Sequence, residues 1–413
     1  MRILFIHQNF PGQFRYLAPA LAKLGHEVTA LTMVKASPEQ WQGVRLVRYA
    51  VSRNSTREIH PWVADIETKT IRGEACFRNC LKMKADGYAP DTIIAHPGWG
   101  ESLFVKEVWP EAKLGIYCEF FYRHKGADID FDPEFAVSDR EGNACRIAMK
   151  NINNLLHFGM SDAGLSPTRF QADTFPEPFR SKITVMHDGI DTDLVQPKPD
   201  VCFQLDDGMV LTRSDEVITF INRNLEPYRG FHVFMRTLPE LLDRRPNARV
   251  LIVGGDEVSY GARPADGRSW RQRFSDEVRP RMSEEAWRRI HFLGKIPYDR
   301  FIAFLQVSSV HVYLTYPFVL SWSLLEAMSA GCAIVGSDTE PLREVIVSGQ
   351  TGTLVDFFDG KALVNAVCDL LDDPERRRKY GVRAREFVGQ HYDLKRNCLP
   401  GQLRWVLRFA GTE

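Results

Sequence analysis

The sequence predicts an α/β chain of two doubly wound parallel-sheet domains, and three observations lead there. At roughly 150 residues per domain, 413 residues give two to three domains, each large enough for its own core. A strand, helix, strand unit opens the chain, and a second opens past its middle at Val217. Each start is followed by further apolar strands alternating with helical patterns, the order that builds a parallel sheet.

In the first unit, residues 2–7 read as a short buried strand and residues 8–12 as its loop. Residues 13–24 follow as a helix, with Phe14, Leu17, Ala18 and Leu21 on one face. Gly25 is placed to cap it, and residues 27–32 resume an apolar strand. Further strands are expected at 91–96, 114–122 and 183–187, with a helix at 141–158. The second unit repeats the pattern: a strand at 217–222, a loop at 223–230, then a helix whose Phe231, Phe234, Met235, Leu238 and Leu241 share a face. Strands follow at 249–253, 290–293, 310–316 and 333–337. Pro197, Pro199, Asp200, Asp206, Asp207 and Gly208 mark residues 197–215 as a linker. The division is therefore 1–200, 201–390 and a helical tail at 391–413 that packs back on the first domain. The helical stretch 374–409 is expected to break at Gly381 and at Pro400-Gly401.

Composition narrows the function. Hydrophobic residues make up 44% and charged residues 26%, the proportions of a folded chain. Lys plus Arg and Asp plus Glu are 53 each, so no net field attracts polyanions, and nucleic acid is not expected as a partner. No run reaches the ~18 apolar residues of a membrane span, and residues 1–7 are too short for a signal-peptide core, so a cytoplasmic protein is expected. The eight cysteines are scattered, and only Cys76 and Cys80 lie one helical turn apart. Neither a zinc site nor a disulfide framework is expected.

In open parallel sheets, ligands bind beyond the carboxyl ends of strands, where helix N-termini present free N–H groups. Four such loops carry chemistry. The loop 223–230 holds Arg223 and Arg229, two permanently charged forks suited to a diphosphate, although solvated surface arginines fit the composition as well. The segment 316–328 runs from a strand end into a helix. There Ser323 and Glu326 form an S-x-x-E capping box; alternatively Glu326 accepts from a ribose diol while N–H groups near Ser321, Trp322 and Ser323 face phosphate. His96 ends a strand beside Pro97-Gly98-Trp99-Gly100, where it is either structural or catalytic. Gly12 allows a phosphate or sugar to approach the first loop, or simply makes a βα turn.

Other signals point elsewhere. Asp128 and Asp130 have the D-x-D spacing of metal-dependent sugar transferases, but read as a surface acidic loop. Neither Val253-Gly254-Gly255-Asp256 nor the first loop continues as G-x-G-x-x-G, which argues against a dinucleotide cofactor. The arginines of 263–289 alternate with acids as on a solvated helical face. Residues 119–125 mix aromatic and basic side chains that suit a sugar or lipid headgroup, or form a buried strand end.

With these residues in place, the chain resembles the retaining glycosyltransferases of family 4, with their two-domain GT-B fold. The matching segments are Arg223-Asn224-Leu225 through Arg229-Gly230, His291-Phe292-Leu293-Gly294, Leu324-Leu325-Glu326-Ala327-Met328-Ser329-Ala330-Gly331, Pro341-Leu342-Arg343-Glu344-Val345-Ile346 and Gly349-Gln350-Thr351-Gly352. His187-Asp188-Gly189-Ile190-Asp191 is similar to the family's N-G-V-D segment, and Pro11-Gly12 to its glycine loop. The resemblance implies two Rossmann-like domains facing a central cleft, with an acceptor in the first and a nucleotide sugar, UDP- or GDP-linked, in the second. It implies that Arg223 and Arg229 contact the diphosphate, Glu326 the ribose, His96 the reacting sugar, and the backbone at Lys295 and Ile296 the base. No metal or other cofactor is implied. The family's E-x7-E motif is incomplete, because the position eight residues before Glu326 is Phe318, and Ser321 stands where glycine is usual.

The expected reaction is hexosyl transfer from a nucleoside diphosphate sugar to the hydroxyl of a glycan, small-molecule or lipid-linked acceptor, the last bringing the protein to the inner face of a membrane. A nucleotide-sugar epimerase, a binding protein without turnover and a metal-dependent transferase are the alternatives.

Overall fold

A computed structural model describes residues 1–35 and 38–412. It divides into two compact units, one of Met1–Gly189 with Lys395–Glu413, the other of Ile190–Leu394.

The first unit is built on one sheet of β1 (Arg2–Ile6), β2 (Glu27–Thr32), β3 (Gln40–Trp41), β4 (Val44–Arg48), β5 (Thr92–Ala95), β6 (Lys113–Tyr117), β7 (Ala163–Ser166) and β8 (Ile183–Val185). Its order is β3-β4-β2-β1-β5-β6-β7-β8, parallel throughout except for β3, which runs antiparallel at the edge. Alternation along β1 feeds both faces. Ile3 and Phe5 enter a core with Phe14, Leu17 and Leu21, while Leu4 and Ile6 enter another with Cys76, Cys80 and Val105. The terminal helix Leu399–Phe409 closes the first of these with Trp405 and Val406.

The second unit holds β11 (Val217–Asn224), β12 (Arg249–Gly255), β13 (Ile290–Gly294), β14 (Val310–Tyr313), β15 (Ala333–Ser337) and β16 (Thr353–Val355), following a small hairpin of β9 (Phe203–Gln204) and β10 (Val210–Leu211). The order β13-β12-β11-β14-β15-β16 is the 3-2-1-4-5-6 arrangement of a Rossmann sheet, so strand order reverses between β11 and β14.

Several expectations are corrected. Residues 197–215 are not a linker: Val201, Phe203, Leu205 and Leu211 are buried in the second unit's core, and the division falls at Gly189 and Ile190. The strand expected at 114–122 stops at Tyr117, and the one at 310–316 stops at Tyr313. The helix Pro374–His391 runs straight through Gly381, where a side chain would run into the Gly331 carbonyl; glycine is there for packing rather than as a breaker. Pro400 and Gly401 sit in the first turn of the last helix, which tolerates proline because that N–H has no helical partner. The helix Ala64–Ala85 was not expected, since its buried face is made of Lys69, Ile71, Gly73, Cys76, Cys80 and Met83 rather than a continuous apolar stripe.

Candidate functional site

In the second unit the site grows from the reversal point between β11 and β14. Arg223 lies near the end of β11 and is exposed, with no side-chain hydrogen bond or ion pair to a described residue. Arg229, six residues on, is only 5% exposed. Its Nη1 donates to Thr315 Oγ1 (2.7 Å), the Val319 carbonyl (3.0 Å) and the Tyr313 hydroxyl (3.3 Å). Burial opposes the charge, yet Tyr313, Tyr260 and Glu226 hold the guanidinium above its ordinary pKa. The two arginines thus differ: Arg223 faces solvent, and Arg229 fastens the loop after β14 to the loop after β11. The Tyr316 N–H adds a bond to the Tyr228 carbonyl (3.0 Å).

That loop delivers the helix Trp322–Ser329. Ser321 is its cap, accepting from the Ser323 N–H (3.3 Å), while the Ser321 N–H donates to Tyr313 (3.0 Å). The expected Ser323 and Glu326 capping box is not formed, because the cap lies two residues earlier and Glu326 sits in the second turn, where Oε1 accepts from the Tyr298 hydroxyl (2.7 Å). Trp322 and Ile296 are partly buried against the core, whereas Lys295 is exposed with its stem over Gly255. Phe318, where the family's first glutamate would stand, is buried with Tyr228 (5.5 Å between ring centroids) and Tyr260 (5.0 Å). Sequence reasoning missed Glu226, whose buried carboxylate accepts from the N–H groups of Ser259 (3.0 Å), Tyr260 (3.2 Å) and Gly261 (3.0 Å). Its position between the two arginines was the available signal.

In the first unit strand order likewise reverses between β1 and β5, and two histidines meet there. His7 and His96 lie with ring centroids 5.3 Å apart, and His96 also contacts Trp99 (4.6 Å) and Tyr117 (5.3 Å). His96 Nδ1 accepts from the Gly98 N–H (3.2 Å), so the neutral ring carries its proton on Nε2. Nε2 is buried without a hydrogen-bond partner among the described residues, and its neighbouring carboxylate, Glu119 Oε2, is 3.7 Å away. Burial, and then His7, push His96 well below the ordinary histidine pKa. Burial brings His7 down to about 4, against a hydrogen bond with Gln13 (2.8 Å). Gly12 has φ +45°, and a side chain there would run into the His7 ring. His7 ends its strand as His96 does, so the rule that selected one also selects the other.

The D-x-D loop is not an open acidic surface: Asp128 is buried, Asp130 pairs with Arg140 (3.5 Å) and Asp132 caps a short turn. Among the described residues no group of three or more His, Cys, Asp or Glu is placed to hold a metal, and no helix is long and apolar enough to cross a membrane.

Residues 24–195 match the profile of the glycosyl transferase family 4 group, and residues 209–387 that of glycosyl transferases group 1. The chain belongs to the family 4 glycosyltransferases, with the GT-B fold of two Rossmann-like domains. A phosphatidyl-myo-inositol mannosyltransferase of Mycolicibacterium smegmatis is 32% identical over 43% of this chain and 42% of its own. A D-inositol 3-phosphate glycosyltransferase of Corynebacterium glutamicum is 26% identical over 50% and 47%. The chain spans less than half the length of either relative. Sucrose-phosphate synthase from Thermosynechococcus elongatus superposes with TM-score 0.75 at 18% identity over both whole chains. Anabaena HepE, solved with UDP and glucose, gives 0.67 at 13% identity, covering 99% of each. At such identities the two structures establish the fold.

Proposed function

We propose that this chain is a retaining, metal-independent glycosyltransferase that moves a hexosyl unit from a UDP- or GDP-linked sugar to an acceptor hydroxyl. The observation that carries the reading is Arg223: a guanidinium near the end of β11 with no partner among the described residues, six residues before Arg229, which through Tyr313 fixes the N-terminus led by Ser321. A cation and a helix N-terminus near a strand reversal suit a diphosphate.

In this reading Arg223 binds the diphosphate and stabilises the charge that develops as the sugar leaves, worth about 3 kcal/mol of barrier. Arg229 holds the loop in register for it. Glu326 accepts from the ribose, with Tyr298 fixing its carboxylate, and the backbone at Lys295 and Ile296 meets the base. Ser321, Trp322 and Ser323 form the helix N-terminus that faces phosphate, held in place by the bonds of the Ser321 N–H to Tyr313 and of the Ser323 N–H to the Ser321 hydroxyl. In the first unit His96 donates Nε2–H to the reacting sugar as a neutral group, and Gly12 keeps His7 seated behind it. The names of the mannosyl- and inositol-phosphate transferases support a sugar or lipid-linked acceptor, and hence work at the inner face of a membrane.

One observation favours a second reading. Phe318 seals the place of a sugar-facing carboxylate with aromatic rings, as in a protein that binds a nucleotide sugar without transferring it. The experiment is a thermal-shift screen of nucleoside diphosphates and their sugars, followed by turnover with and without EDTA on those that bind. Transfer that survives EDTA supports the proposal; binding without turnover across the panel supports the second reading; a new sugar nucleotide formed without acceptor makes the chain an epimerase.

A further inference from the structure

Phe318 stands where the family's motif has its first glutamate, and aromatic rings surround it. Tyr260, in the loop after β12, is 42% exposed. It lies edge-on to Phe318 (5.0 Å between centroids), and the Arg229 guanidinium carbon is 5.2 Å from its centroid.

Its placement is enforced. Glu226 is 1% exposed, and a buried carboxylate is stable only when fully hydrogen-bonded. It is satisfied by the N–H groups of Ser259, Tyr260 and Gly261, so the charge organises this one loop. Asn224 adds a bond from Nδ2 to Ser259 Oγ (2.8 Å). Its Oδ1 is buried against Gly255, with no hydrogen-bond partner among the described residues. An exposed aromatic ring on a loop tied down by a buried carboxylate is a surface that the C–H face of a pyranose can meet, with the sugar hydroxyls outward.

We infer that Tyr260 is a sugar-specificity residue, on whose exposed ring, beside Phe318, the sugar of the donor stacks. The inference rests on the nucleotide-sugar reading above. Contact through a ring face reads the shape of the sugar more than any single hydroxyl, so Tyr260 contributes to the affinity of the sugar nucleotide and not to that of the nucleotide alone.

The test is calorimetry on the full chain with UDP, GDP, UDP-glucose and GDP-mannose, for the wild type, Tyr260→Ala and Tyr260→Phe. Tyr260→Ala is expected to weaken the sugar nucleotide that the wild type binds by about tenfold, leaving the matching diphosphate within about twofold; Tyr260→Phe, which keeps the ring, changes neither. Thermal melts of the three proteins check that the fold is retained, as a solvent-facing ring allows. If Tyr260→Ala leaves the sugar nucleotide unchanged, or weakens it and the diphosphate equally, the inference fails while the nucleotide-sugar reading stands. If the wild type binds none of the four, both fail together.

Discussion

Arg229 and Tyr313 meet through one hydroxyl: Arg229 Nη1 lies 3.3 Å from Tyr313 Oη, which also accepts the Ser321 N–H at 3.0 Å. Tyr313 ends β14 and Arg229 follows β11, so the contact spans the place where strand order reverses. The first turn of the helix Trp322–Ser329 is thereby hydrogen-bonded to the arginine loop through Tyr313.

Arg229 and Arg223 should therefore fail in different ways. Arg229→Ala leaves Thr315, Val319 and Tyr313 without their shared donor and should cost the second unit about 3 kcal/mol, read as a lower urea midpoint. Arg229→Lys, which keeps the charge but not the fork, should recover only part of it. Equal stability of the alanine variant and the wild type would remove Arg229 from its bracing role.

Acid should weaken the first unit, because His7 and His157 are held at about 4, His187 at about 3 and His96 well below its ordinary value, all chiefly by burial. A depressed folded pKa means that the unfolded chain takes up protons first, from about pH 6.5 downward, so stability is intact above about pH 7 and falls toward pH 4. Glu101 acts oppositely: burial raises it to about 7, so the folded state takes up its proton first between about pH 7 and 4.5. The four imidazoles outnumber the one carboxyl, and urea unfolding should show declining stability from pH 7 to 5, steeper in Glu101→Gln. A rise over that range would contradict the neutral histidines.

Gly381→Ala tests the close approach of the helix Pro374–His391 to Gly331. The added methyl meets backbone rather than a movable side chain, and the variant should lose about 2 kcal/mol despite alanine's better helix propensity. A more stable variant in thermal melts would show that the helix can shift away.

Ser321→Ala removes the cap of the helix Trp322–Ser329 and should cost about 1 kcal/mol. Ser323→Ala should cost less, since Ser323 offers the helix no cap; the reverse order in denaturant melts would restore the S-x-x-E box.

The sheets were legible because their strands are short apolar runs bounded by glycine, proline and polar residues, and 27–32 and 333–337 coincide with β2 and β15. The linker misled because Pro197, Pro199 and the aspartates outweigh the alternating Val201, Phe203 and Leu205 that carry the hairpin into the core. At the site, strand-end position picked out Arg223, Arg229 and His96 from local pattern alone. What separates Arg223 from Arg229 was not readable: the burial of Arg229 depends on Tyr313, Thr315 and Val319, some 84 to 90 residues away in sequence. Tyr260 gave no local signal, since its placement rests on a carboxylate 34 residues earlier.

Whether Arg223 grips a diphosphate is tested directly by calorimetry of UDP and GDP binding to the wild type and Arg223→Ala. A fall in affinity of about tenfold or more for the diphosphate that the wild type binds, with an unchanged melting temperature, is the predicted result. Undiminished binding by a folded Arg223→Ala protein would contradict it.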